Sequence, residues 1–170
     1  NKKEINYFMA EAFCLKGAVA LTKKIPRQIF RSPSSVIWAL VSGLVDGDGS
    51  IHNNRNVIHY GSISEELING LQIILQHQNV LGVRYEEGPR QARVIDGRAA
   101  HPRHKFYSLE FSGPQAHLLA SCLSVADKNK YENIETMLTR EQRDPWSSLD
   151  AIPYAGKMIF EELNRLSIGG

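Results

Sequence analysis

The chain has 170 residues, 42% of them hydrophobic and 22% charged, a balance of globular domains that excludes disordered and fibrous classes. The 20 Lys and Arg against 18 Asp and Glu leave a net charge of +2, which neither demands nor excludes a nucleic-acid partner. The longest apolar run, residues 36–45, is broken by Ser42 and Gly43 and too short to span a bilayer, so no membrane role is expected.

Asn1-Lys2-Lys3-Glu4 carries no signal-peptide pattern. Residues 4–15 place Ile5, Phe8, Met9, Ala12, Phe13 and Leu15 at helical spacing, predicting a helix that ends near Gly17. Residues 16–33 are basic and punctuated by Pro26 and Pro33, which reads as a connector. Ser34 or Ser35 offers an N-cap for an apolar helix over residues 36–45, closed by Asp46-Gly47-Asp48-Gly49. Residues 50–52 and 57–61 flank Asn53-Asn54-Arg55-Asn56 and predict a β-hairpin. Ser62-Ile63-Ser64-Glu65 has capping-box spacing, with Leu67, Ile68, Leu71, Ile74 and Leu75 continuing at helical period. Residues 83–87 and 105–112 form a second hairpin joined by a long polar arm. Pro114 starts a further helix, residues 128–140 another, and residues 156–166 a closing one after a linker. This order predicts an α+β domain with one antiparallel sheet. Cys14 and Cys122 have no metal spacing and read as buried thiols of a reducing, cytoplasmic compartment.

The most informative stretch is Leu40-Val41-Ser42-Gly43-Leu44-Val45-Asp46-Gly47-Asp48-Gly49. Two carboxylates at a helix C-terminus face the negative end of the macrodipole, which is unfavourable by some tenths of a kcal/mol each. A bound hard cation reverses that sign. The alternative is a hydrated Asp-Gly turn between helix and hairpin. Ala39 and Gly43, four apart, leave room on one helix face for a second backbone.

This stretch resembles the signature motif of the LAGLIDADG homing endonucleases. Ile25-Pro26-Arg27-Gln28-Ile29-Phe30 is similar to the segment joining the two repeats of intein-encoded members. Ser62-Ile63-Ser64-Glu65-Glu66-Leu67 resembles the start of the family's second helix, and the likeness covers about residues 8–140. Ser42, where the family usually has Ala, is a departure. The resemblance implies an αββαββα repeat with an antiparallel saddle-like sheet and helices on one face. Residues 1–33 then resemble the end of a preceding repeat, 34–140 the repeat itself, and 141–170 a linker and C-terminal helix. It also implies a site-specific endonuclease for double-stranded DNA. Two motif helices pack side by side through Ala39, Ser42 and Gly43, and Asp48 ligates Mg²⁺ beside the Gly47 carbonyl. Asp46 helps to end the helix. A family lysine near the metal-bound water matches Lys128 best by chain order, and Lys130 second.

The basic groups fit such a partner. Arg90, Arg93, Arg98, Arg103 and Lys105 face the single acid Asp96 within one arm, a composition suited to phosphates and to guanine edges. A solvated hairpin arm is the competing reading. Asn53, Asn54 and Arg55 can read bases or simply make a turn. Ser50 and His52 on the adjoining strand join them as candidate DNA contacts.

Three functions compete: a metal-dependent endonuclease, a non-cleaving DNA- or RNA-binding regulator or maturase on the same fold, and a protein-interaction domain. Retention of Asp48 favours the first. The chain shows neither a splicing-type first residue nor a C-terminal His-Asn pair, so it is not expected to splice. Cutting both strands needs two acidic helix ends, and the sequence holds one. A second repeat is therefore expected, either from a missing N-terminal half or, as the favoured state in isolation, through a twofold homodimer.

Overall fold

The computed structural model of the chain describes residues 20–89, 93–95, 98–100 and 104–140. The helix expected over residues 4–15, the segment 141–170 with its closing helix, Cys14, Arg90 and Arg103 lie outside them.

Two short 3-10 turns, Ala20–Thr22 and Arg27–Arg31, lead into the domain. Ile25 and Ile29 are buried and pin this segment to the core. It then enters helix α1, Ser34–Asp48. Neither Ser34 nor Ser35 is the N-cap. Pro33 is, in an extended conformation, and its carbonyl accepts from the N–H groups of Val36 and Ile37 at 2.9 and 3.2 Å. The proline sets the backbone turn itself, so the serines fall inside the first helical turn.

The helix runs one turn further than its apolar residues, through both acids. Gly49 stops it by donating its N–H to the Val45 carbonyl in an extended conformation. A Cβ at Gly49 would lie 2.7 Å from the Val45 main chain, so only glycine lets the strand leave that abruptly.

Strands β1, Gly49–His52, and β2, Val57–Ser62, form the expected hairpin around a four-residue turn. Helix α2, Glu65–His77, follows, with a cap two residues later than the capping-box spacing suggests. The Ser64 hydroxyl accepts from the Leu67 N–H at 3.3 Å, and itself donates to the Lys23 carbonyl at 2.5 Å. One serine thus caps α2 and ties the entry segment to it.

Strand β3, Val83–Glu87, pairs with β6, Phe106–Ser112. The long polar arm between them contains a two-stranded ribbon, β4, Arg93–Ile95, and β5, Arg98–Ala100, that no periodicity of the sequence predicts. Helices α3, Gly113–Cys122, and α4, Lys128–Thr139, complete the described chain. Asp127 caps α4 by accepting from the Lys130 N–H at 2.9 Å.

The four-stranded sheet has the order β1-β2-β6-β3, antiparallel throughout. Its register pairs Ile51 with Ile58, Ile58 with Phe111, and Tyr60 with Leu109, so these side chains share one face. All five are buried with Val41, Val45, Ile68, Leu71, Leu119 and Met137 of the helices in one hydrophobic core. The alternate residues Ser50, His52, His59, Tyr85 and Glu110 occupy the opposite, open face. The α+β architecture and single main antiparallel sheet are as the sequence predicts.

Candidate functional site

Helix α1 ends with two carboxylates two residues apart, and 100° per residue turns them about 200° from each other. The structure gives them different surroundings.

The Asp46 carboxylate accepts from two backbone N–H groups of the α3–α4 loop, Ala126 at 3.1 Å and Asp127 at 2.9 Å. Those bonds, led by the one from Asp127, hold its pKa below the ordinary value against the opposing effect of burial, and the charge of Lys130 adds a lesser lowering. One helical turn earlier, the Ser42 hydroxyl accepts from the Ser124 N–H at 2.9 Å. Ser42 and Asp46 together fasten the loop between α3 and α4. The ammonium of Lys130 completes the clamp, donating to the carbonyls of Val45 at 2.9 Å and Asp46 at 2.6 Å. A cation there meets the negative end of the α1 dipole and shares the Val45 carbonyl with the Gly49 N–H.

Asp48 lies exposed on the other side of α1. It stands at one end of an apolar groove of about 640 Å³, whose floor is Val36, Ala39, Leu40, Gly43 and Leu44. Ile25, Pro26, Ile29 and Tyr60 flank it. Among the described residues, a Cβ placed on Gly43 or Gly47 would meet nothing within 4 Å, so they leave this stripe open. Tyr60 is 2% exposed, and its phenol is pushed up to about 12, first by burial and then by the negative charge of Asp48. The β1–β2 register explains the proximity, because Tyr60 pairs with Gly49, the residue after Asp48. Nothing in the sequence pattern marks Tyr60 beyond its place in a strand.

Several expected site residues are placed apart. Ser42 faces the α3–α4 loop rather than the open stripe of Ala39 and Gly43, because it sits 100° around the helix from Gly43. Asp46 binds the loop, and the helix ends beyond it, at Gly49. Lys128 is 86% exposed and lies 3.7 Å from Glu132 one turn on, whereas Lys130 reaches the end of α1. Among the described residues no group of three or more His, Cys, Asp or Glu side chains could hold a metal ion. The oxygens at this end of α1 are the Asp48 carboxylate and the last helical carbonyls.

The candidate nucleic-acid contacts also divide. Ser50 and His52 lie on the open face of the sheet, with Asn54 and Arg55 exposed in the β1–β2 turn. Asn53 is drawn inward: its amide donates to Asn133 at 2.7 Å, and its carbonyl accepts from Arg140 at 2.7 Å. Lys105 lies on the helix side of the sheet, 2.6 Å from Glu86, which raises the pKa of the lysine and lowers that of the glutamate. Arg84 on the same side pairs with Glu65 at 2.7 Å and lies over the Tyr107 ring. Arg93 and Arg98 stand in the ribbon, where Arg93 pairs with Ala100 and Ile95 with Arg98.

Residues 35–109 match the family model of the LAGLIDADG-like domain. The chain is 35% identical over 88 residues to a DNA polymerase of Thermococcus sp. (strain GE8), covering 51% of this chain and 5% of that protein. It is similarly 35% identical over 88 residues to a DNA polymerase of Thermococcus hydrothermalis. The DNA-directed RNA polymerase subunit Rpo1C of Methanocaldococcus jannaschii is 28% identical over 127 residues, covering 75% of this chain and 15% of that subunit. The chain thus spans only a small part of these relatives. Among the described residues no helix is long and apolar enough to cross a membrane.

Proposed function

With residues 35–109 a LAGLIDADG-like domain, we propose that the chain is a site-specific, divalent-metal-dependent homing endonuclease that hydrolyses phosphodiester bonds in duplex DNA. We place it as the endonuclease part of an intein. One segment resembling small pieces of both a DNA polymerase and an RNA polymerase subunit is what an insert shared between different host proteins would leave.

The observation that carries this reading is Asp48, an exposed carboxylate at the end of an outward-facing stripe of small residues. The stripe Ala39, Gly43 and Gly47 allows a second helix backbone to approach closely, and pairing brings a second acid beside the first. Oxygen donors suit a hard cation such as Mg²⁺, and here the Asp48 carboxylate and Gly47 carbonyl would hold it. When bound, the ion supplies activation of the attacking water and stabilisation of the leaving oxygen.

The protein's own residues do the rest. Lys130 carries a positive charge to the same helix end and occupies the Val45 and Asp46 carbonyls. Tyr60, buried in the core, is close enough to Asp48 for its phenol to feel that negative charge. The open sheet face, with Arg55 exposed in the hairpin turn beside it, offers a surface for the duplex. The second repeat is supplied either by another copy of this chain or by a preceding half.

The test is incubation of the purified chain with Mg²⁺ and a library of randomised duplex sites. Nicking or double-strand cutting at a defined site supports the proposal. Bound but uncut DNA would favour a non-cleaving module on the same fold.

A further inference from the structure

We propose that Glu110 is a specificity-determining residue that reads the exocyclic amine of a cytosine in the major groove, an inference that rests on the duplex-binding role proposed above. β6 is a central strand of the sheet, with β2 on one side and β3 on the other. Glu110 lies on its open face, opposite His59 of β2 and Val83 of β3. It lines a shallow recess of about 260 Å³ with His59, Tyr85, Glu86, Glu87 and Ser108.

The charge layout of that face is uneven. By register the β1–β2 turn with Arg55 lies beyond the Ser112 end of β6, Glu87 of the edge strand β3 stands at the opposite end against Phe106, and Glu110 lies between them on a central strand. A carboxylate facing a phosphate is repelled, so the centre of the face must meet something other than the backbone of the duplex. A carboxylate in that central position is satisfied by donors on base edges, while phosphate contacts fall to residues at the margin such as Arg55.

The chemistry then selects the base. An ionised carboxylate only accepts hydrogen bonds. In the major groove, guanine shows O6 and N7 acceptors and thymine an O4 acceptor, all of which repel it. Adenine offers the N6 donor, but with the N7 acceptor beside it. Cytosine offers the N4 donor and no acceptor of its own alongside, which makes it the preferred partner.

Selection of bound duplexes from a randomised library, run with the wild-type chain and with Glu110→Gln, tests this. The wild-type site is expected to fix a cytosine at one position of each half-site. Glu110→Gln should move that position toward adenine, because a glutamine amide both accepts and donates. The original cytosine preference should fall by about 5- to 150-fold there, with other positions unchanged. Glu110→Ala should relax the same position without choosing a new base. If the wild-type and both variants enrich the same site with the same preference at every position, the inference is overturned. A folded wild-type chain that enriches no site at all overturns the duplex-binding reading as well, so the two failures are distinct.

Discussion

The two sides of helix α1 carry similar chemistry and have opposite fates. On one side, Ser42 and Asp46 are bound to three backbone N–H groups of the loop between α3 and α4, at 2.9 to 3.1 Å. On the other, Ala39, Gly43 and Asp48 line a groove that the described residues leave open. Two aspartates separated by a single glycine are therefore not a pair of equivalent ligands. One is spent on the fold, and the other is available for chemistry. The difference arises from helical geometry, which turns neighbouring acids to opposite faces, and from what each face happens to meet.

The largest break in the comparison should come from Asp46→Ala. It removes the acceptor of two N–H groups and leaves Ser42 and Lys130 to hold the α3–α4 loop and the start of α4 to α1, so the melting temperature should fall clearly. Asp48→Asn should leave it unchanged. Thermal unfolding followed by circular dichroism distinguishes them. The pH dependence has a definite sign. The folded pKa of Asp46 is lowered from 3.8, so its contribution is fully present above that value and is lost as pH falls through the lower folded value. The acid side of the stability curve should therefore flatten in Asp46→Ala.

A smaller loss is expected for Ser42→Ala. Ser42 is buried, and its removal leaves the Ser124 N–H without this acceptor, which costs about 1 kcal/mol. Urea unfolding should show a lower midpoint with an unchanged slope. An effect on self-association with no change in stability would instead put Ser42 on the pairing face.

On the open side the sign reverses. Gly43→Ala adds a methyl group where no described residue lies within 4 Å and replaces glycine in a helix interior. The isolated chain should gain roughly 0.5–1 kcal/mol. Close packing of a second helix should weaken, which sedimentation at micromolar concentration would report as fewer dimers. A destabilised Gly43→Ala chain would show that its own residues already cover this face.

Much of this was legible in the residues. The apolar spacing of residues 36–45 and 67–75 marked α1 and α2, and Asn53-Asn54-Arg55-Asn56 marked the first hairpin. Ala39 and Gly43 share one face, as their spacing of four requires, whereas Ser42, expected beside them, turns to the α3–α4 loop. The clamp was not legible, since the donors to Ser42 and Asp46 lie about 80 residues away. A signal did exist: Ser42 and Asp46 are four apart, a polar pair on a helix otherwise apolar there. Lys128 and Lys130 are equally charged and two residues apart, so only the docking of α4 shows which one reaches α1. The ribbon was missed because its three-residue strands are too short for a period to register. Glu110 gave no sign, because one acid in a strand becomes informative only when the sheet's faces are known.

The most direct test of the account compares Asp46→Asn and Asp48→Asn in one cleavage assay, with Mg²⁺ and a duplex that the wild-type chain cuts, at a temperature where both variants are folded. Asp46→Asn should still cut, and Asp48→Asn should bind the duplex without cutting it. Cleavage by Asp48→Asn, or its loss in folded Asp46→Asn alone, would contradict the division of labour between the two acids.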